Sequence, residues 1–441
     1  MTKRITNSPP FAYELIPEGS VVVCALSGGA DSMYLLHRLL EGAERYTLRA
    51  AHYDHGLRPG SGQDAQFVEA WCRRLGVPLR VERGDVAGEA RRRGLGAEEC
   101  ARSMRYDFLQ REVQRAGGGC IATGHHAGDN AETVLLHLVR GAGLRGLCGI
   151  PAQRGNIVRP MLDTSRQEIL AWLEERGIPH REDESNADCR YARNLVRHQV
   201  LPLLEQLNPQ AQAHIAAAAR RLTQDEQVLE ELGGQLAEQA VREGAGWGIP
   251  IQALLQAPPS LALRALSQLA RRVGGNPQSR HLEGMLALCA GAGGGRLEAP
   301  GCVALAAYQR LTLLPARAEP PPEPAPLGEG SQVWGAWQIE ARPAVCPGAA
   351  YRSPEEFYLK PGAYHLRSRM PGDGIQLGRR PRKRLKELMI EARIPAHLRP
   401  GVPVLAGEGG VAAVGGLGPH WEALAQPGQP SLHIRIHPTQ E

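Results

Sequence analysis

The stretch VVVCALSGGADSMYLL at 21–36 restricts the fold more than any other part of the chain. A short apolar, β-branched run passes through Ser-Gly-Gly-Ala-Asp-Ser directly into an apolar-periodic helix start. A strand, a tight turn and a helix N-terminus therefore follow one another without a spacer. Gly28 and Gly29 lack a Cβ, which lets the backbone turn sharply and approach an anion closely. Ser27, Ser32 and the free N–H groups opening the helix can hydrogen-bond phosphate oxygens, and the helix dipole favours negative charge there. Asp31 would repel bare phosphate, so its presence points to a bridging Mg²⁺, an ion suited to one carboxylate plus phosphate oxygens. No Gly-Lys-[Ser/Thr] follows, which excludes the Walker pattern.

Beyond this loop, apolar patterning predicts alternating elements: a helix over 33–41, a strand over 48–53, a helix over 63–75 and a strand over 78–81. A helix over 97–115, a strand over 120–123 and a helix over 129–140 continue the series. Such alternation means an α/β fold with a parallel, doubly wound sheet. Ligands of these sheets sit at the carboxyl ends of the strands. The chemically loaded clusters 27–32, 54–58 and 123–133 all fall just after expected strands. A Ser165-x-x-Glu168 capping box then starts another helix. The nucleotide-binding catalytic domain is expected over 1–209. Between 215 and 236 apolar residues keep a period near 3.5, further helical patterns lie at 260–272 and 280–290 and a strand-like stretch near 303–314, so 210–316 reads as a mostly helical domain. Prolines at 320–322, 324 and 326 mark a stiff linker over 317–330, and 331–441 reads as a small α+β domain with one helix near 383–391.

Charge narrows the function. The net charge is only +5, yet ten Lys/Arg against three acids lie between Arg367 and Arg399. An asymmetry of this kind points to a nucleic-acid-binding end. Nine cysteines are scattered without a C-x-x-C pair, which argues against a zinc ribbon, an iron–sulfur cluster or a disulfide framework. Neither a signal-peptide pattern nor an apolar run near membrane length is present, so the chain reads as cytoplasmic.

The 27–32 loop resembles the pyrophosphate-binding loop of ATP pyrophosphatases, which split ATP into AMP and diphosphate. The wider motif set is similar to bacterial tRNA(Ile)-lysidine synthetase. It comprises Asp54-His-Gly-Leu-Arg58, Glu99-Cys-Ala-Arg102 with Arg105-Tyr106, Thr123-Gly-His125-His126, Arg140-Gly-x-Gly-x-x-Gly146, Arg159-Pro160 and Asp183 through Arg197. Arg369-x-Pro-Gly-Asp373 and the span from Leu385-Lys386 to His397-x-Arg399 resemble that family's carboxy-terminal tRNA-binding domain. The resemblance implies ATP and Mg²⁺ as cofactors, and free L-lysine and tRNA(Ile) with a CAU anticodon as partners. It also implies ligation of lysine to the wobble cytidine through an adenylated base. A homodimer is compatible with it. Two positions depart from the family pattern: Gly128 where His-His-x-Asp-Asp has its first acid, and Glu184 where proline is usual.

On this reading Ser27, Gly28, Gly29, Ala30, Asp31, Ser32, Asp54 and His55 bind ATP, with Asp31 also holding the metal. Asp129 and Glu132, three apart on a helix start, form the lysine-binding pair by resemblance, and His125, His126 or a carboxylate serves as base. Catalysis then rests on Asp31, His125, Asp129 and Glu132. Arg58, Arg102, Arg105, Arg193 and Arg197, with Arg379, Arg382, Lys383, Arg384 and Lys386, contact tRNA phosphates. Each also has a plainer reading: helix acids favoured by the dipole, or a solvated arginine face. A tRNA sulfur-transferase using the same loop is the competing enzyme, although its chemistry usually needs a thiolate pair.

Overall fold

The computed structural model describes residues 9–56, 61–181, 192–291, 294–317 and 320–439. Arg58 and the 183–191 motif lie outside them. The chain forms two compact units, 1–227 and 228–441.

The first unit is built on a six-stranded sheet of order β3-β2-β1-β4-β6-β5. Its strands are β1 (Val21–Ala25), β2 (Thr47–Asp54), β3 (Leu79–Arg83), β4 (Cys120–Ala122), β5 (Gln153–Arg154) and β6 (Ile157–Val158). All neighbours pair in parallel except β5 with β6. Helices cover both faces: α1 (Ala30–Glu41), α2 (Ser61–Leu75), α3 (Val86–Arg93), α4 (Ala97–Arg115), α5 (Ala127–Val139), α6 (Leu144–Leu147) and α7 (Arg166–Glu175). Double coverage is why β1 reads as an unbroken apolar run, with Val22, Val23 and Cys24 all buried. Val22 and Cys24 pack with Met33, Leu36 and Ile169 on one side, while Val23 packs with Phe108, Leu109 and Ile121 on the other.

The expected elements are present, with ends shifted by a few residues. Sequence reasoning passes over α3, whose Val-Ala-Gly-Glu-Ala-Arg-Arg-Arg run offers only Val86 and Ala90 to bury, packed against Cys100 and Ala101 of α4. Its ends are set by caps: Asp85 accepts from the Gly88 N–H, and Gly94 closes it in the left-handed conformation. The strand order reverses after β1, so the crevice between the carboxyl ends of β1 and β4 is the topological switch point.

Following α7, α8 (Ala192–Leu195), a π-helical turn at Val196–Val200 and α9 (Leu201–Leu207) pack on α5 through Ala131, Val196 and Leu201. The unit boundary falls within α10 (Ala211–Ala237). The first half of α10 sides with the first unit, placing Gln212 beside Gly128 and Arg220 on Asp163.

In the second unit, the expected helices α12 (Pro259–Arg272) and α13 (Ser279–Ala290), together with α11 (Ile251–Gln256), which the pattern does not announce, share a core with an antiparallel sheet. That sheet has order β7-β8-β11-β10-β9, comprising β7 (Val241–Glu243), β8 (Gly246–Pro250), β9 (Gly295–Ala299), β10 (Cys302–Ala307) and β11 (Arg310–Pro315). Apart from the strand-like stretch near 303–314, the sequence does not announce it. Its strands are short and rich in Gly and Ala, so they show little period-2 contrast.

The remainder is mostly β. One five-stranded sheet joins β12 (Ala325–Pro326), β17 (His365–Arg367), β20 (Val404–Gly407), β21 (Gly410–Val414) and β22 (Gly418–Pro419). A second joins β13 (Gly330–Trp334), β14 (Trp337–Val345), β15 (Tyr351–Ser353), β16 (Glu356–Leu359) and β23 (Pro430–Pro438). A hairpin of β18 (Gly374–Ile375) with β19 (Lys383–Arg384) leads into α14 (Leu385–Glu391), the single helix expected there. The proline-rich stretch is drawn into this part: Ala325 and Pro326 pair with Leu366 and His365, an edge position that proline tolerates. Among the described residues no helix is long and apolar enough to cross a membrane.

Candidate active site

The loop after β1 is organised by Ser32. Its Oγ accepts from the N–H groups of Ser27 (3.1 Å) and Gly28 (3.0 Å) and donates to the Gly29 carbonyl (2.9 Å). Gly28 has φ of +92°, a conformation that disfavours any side chain. Arg181 donates its N–H to the Gly28 carbonyl (2.9 Å), tying the loop to a segment far along the chain.

Asp31, in the first turn of α1, faces the crevice. Burial raises its carboxyl above the ordinary value, while His126 and Arg166 pull the other way. Arg166 Nη1 lies 3.2 Å from Oδ2. Sequence reasoning misses Arg166, which opens α7 inside an ordinary capping box. Asp54 ends β2 at the same edge, buried and 3.5 Å from Arg83. His55 follows it and meets the Tyr53 ring edge-on.

The loop after β4 sits beside this one. His126 caps α5: its Nδ1 accepts from the Gly128 N–H (3.0 Å), and Asp129 Oδ2 accepts from the His126 N–H (3.1 Å). Because Nδ1 is an acceptor, the ring proton sits on Nε2, which is 3.6 Å from Asp129 and 4.0 Å from Asp31. This geometry accounts for Gly128. A Cβ there would lie 2.7 Å from His126 Cε1 and 2.8 Å from Gln212 Oε1, so a larger residue would push the imidazole off the helix end.

Asp129 and Glu132 point to one side of α5 and meet Arg193 and Arg197, four apart on the facing helical segment. Asp129 Oδ1 is 2.9 Å from Arg193 and 3.1 Å from Arg197, while Glu132 is 2.7 Å from Arg193 Nε and 2.5 Å from Arg197 Nε. Glu132 is only 2% exposed. Burial alone would raise the Asp129 carboxyl, but His126, Arg193, His125 and the backbone N–H outweigh it and hold it below the usual value. The expected lysine-binding acids and two of the expected tRNA-binding arginines thus form one neutral cluster.

His125 lies between this cluster and the α4 side of the sheet. Burial, assisted by Arg159, Arg193 and Arg102, brings its pKa down to about 4 despite Asp129. It is uncharged at neutral pH, with Nδ1 3.0 Å from Thr123 Oγ1. On α4, Arg102 and Arg105 flank the Tyr106 ring at 5.0 and 5.7 Å.

In the second unit Arg379, Arg380, Arg382, Lys383, Arg384 and Lys386 are all exposed on the β18–β19 hairpin and the start of α14. Among the described residues, Lys383 alone of these six has a carboxylate partner, Glu391 at 2.7 Å. Cations at a helix N-terminus oppose its dipole, so this run does not serve α14 itself. Asp373 works inside the fold. It accepts from both Arg367 nitrogens (2.7 and 2.9 Å) and from the Met370 N–H, closing the turn before the hairpin.

A phosphate-cradling loop at the switch point of a doubly wound sheet, with acids and arginines along the same edge, defines an ATP-using enzyme of the PP-loop class. The PP-loop domain family matches residues 4–204, and the TilS substrate C-terminal domain family matches 364–436. The tRNA(Ile)-lysidine synthase of Geobacillus kaustophilus is 34% identical over 425 residues, covering 89% of each chain. That of Azoarcus sp. is 35% identical over 424 residues, covering 93% of this chain and 91% of the relative. That of Deinococcus deserti is 34% identical over 404 residues, covering 90% and 65%. The chain belongs to the tRNA(Ile)-lysidine synthase family.

Proposed function

We propose that this protein ligates L-lysine to the wobble cytidine of the CAU anticodon of tRNA(Ile), using ATP and releasing AMP and diphosphate. Family membership along nearly the whole chain carries the reading. The edge of the first unit supplies groups suited to each step. In the first, the cytidine 2-keto oxygen attacks the α-phosphorus, the bond to the β-phosphate oxygen breaks, and diphosphate leaves. The Ser27–Ser32 loop and its N–H groups receive that leaving charge. In the second, the lysine ε-amine bonds to carbon 2, the carbon–oxygen bond breaks, and AMP departs. Asp129 and Glu132, whose carboxylates face Arg193 and Arg197, hold the cationic amino acid. His125, uncharged at neutral pH, has a ring nitrogen open to the proton that the amine must shed.

Magnesium fits the loop through Asp31, a single carboxylate at a phosphate cradle. Among the described residues no group of three or more metal-type side chains stands ready, so the remaining donors would be phosphate oxygens and water. Such an ion neutralises phosphate charge.

The sulfur-transferase alternative finds little support. Of the described cysteines, seven are buried and Cys148 is half-buried, and none lies in the loops at the carboxyl edge. The test is incubation with unmodified tRNA(Ile), magnesium, ATP and radiolabelled lysine. ATP-dependent entry of label into the tRNA is expected; its absence with all substrates present would end the proposal.

A further inference from the structure

Three arginines are buried among the described residues: Arg38, Arg159 and Arg367. Two carry a carboxylate, Arg38 on Glu41 at 2.9 Å and Arg367 on Asp373. Arg159 has none. It follows β6 at the carboxyl edge, is 5% exposed, and donates Nη1 to the Pro151 carbonyl (2.6 Å), while its Nε is left without a partner. The Tyr106 hydroxyl faces the same guanidinium and is buried without a partner of regular hydrogen-bond geometry. Around that ring stand Arg102 and Arg105, also without a carboxylate among the described residues. Burial pulls both Arg105 and Arg159 below the ordinary arginine value, and Arg102 adds like-charge repulsion to each.

Arg102 is exposed and Arg105 half-buried, so Arg159 is the member of the trio held deep in the fold, and a buried cation without a carboxylate needs something else to compensate it. The compensating group must be an anion that comes and goes, and planar guanidinium forks match phosphate oxygens. The triphosphate already has a cradle at β1, on the other side of the β4 loop. We propose that Arg159, with Arg102 and Arg105, seats a backbone phosphodiester of the substrate RNA beside His125, and so fixes the nucleotide to be modified at the sheet edge. Naming RNA as the source rests on the lysine-ligation reading; the need for a phosphate does not.

The experiment compares the full chain with Arg159→Met and Arg159→Lys. The probes are ATP alone, a CAU anticodon stem-loop, and stem-loops carrying one neutral methylphosphonate on either side of the wobble cytidine. Arg159→Met is expected to weaken stem-loop binding by roughly ten- to a hundredfold and to leave ATP binding within about twofold. One methylphosphonate should reproduce the loss in the natural protein and add little to Arg159→Met. Inorganic sulfate should raise the melting temperature of the natural protein more than that of the variant. If Arg159→Met does not fold, Arg159→Lys carries the test, with the charge kept, the fork lost and an intermediate weakening expected. Weakened ATP binding with stem-loop affinity intact would assign the seat to ATP and overturn the proposal. So would unchanged binding of every probe, which would make the trio purely structural. Arg159-dependent stem-loop binding without lysine incorporation would instead sink the ligation reading and leave the seat standing.

Discussion

The sheet edge of the first unit and the basic run of the second both hold arginine, in opposite electrostatic settings. Arg193 and Arg197 lie 2.5 to 3.1 Å from two deeply placed carboxylates, whereas Arg379 to Lys386 stand in water with one exposed ion pair between them. In a partly desolvated pocket a charge pair is weakly screened, so geometry is fixed and removal of one member is felt strongly. On the open surface salt screens each contact, and the charges act mainly as a sum. The edge is therefore suited to holding reactants in place, and the hairpin to holding a large polyanion loosely in reach.

That contrast can be broken at several points. Asp31→Ala is expected to reduce diphosphate release on the order of 10³-fold, with tRNA affinity nearly unchanged. Turnover close to normal would remove Asp31 from the phosphate site. Glu132→Gln leaves Arg193 and Arg197 facing a neutral group, and urea unfolding of the first unit should show a loss of about 3 kcal/mol along with lost lysine incorporation. A variant as stable as the natural protein would show that the cluster is no tighter than a surface pair.

A third test uses pH. His125 titrates near 6.5 when unfolded and near 4 when folded, so between those values the unfolded chain binds more protons. Stability is full above pH 6.5 and falls as pH drops toward about 4, by about 3 kcal/mol at most. His125→Asn should flatten that window in melting experiments, and an unaltered slope would mean the imidazole is better solvated than its burial indicates. The smallest effect belongs to the hairpin. Neutralising Arg382, Lys383 and Arg384 together should reduce the salt slope of tRNA binding by about three and leave folding stability within a few tenths of a kcal/mol. An unchanged slope would make the run ordinary surface.

Much of the first unit can be read along the chain, because its signals are local. β1, the Gly28 turn and the start of α1 are adjacent, and each helix of the alternating series has its own apolar stripe. Asp129 and Glu132 are singled out by the neighbouring Thr-Gly-His-His and the family resemblance, and the α14 helix by its pattern. What escapes has no local signature. Arg166 looks like a helix-start residue until its guanidinium is found 3.2 Å from Asp31, and Gly128 looks like a missing acid until the His126 ring is seen folded over it. The sheet β7 to β11 escapes because small residues blur the alternation.

By itself the sequence determined a nucleotide loop after the first strand, a parallel sheet carrying it, and a basic far end, since turn chemistry, periodicity and net charge act over a few residues. Only the tertiary structure decided which charges are neutralised. It set Asp129 and Glu132 against arginines 61 to 68 positions away and left Arg159 with no carboxylate among the described residues. Electrostatic pairing depends on distance and dielectric in space, and neither is written in the order of residues.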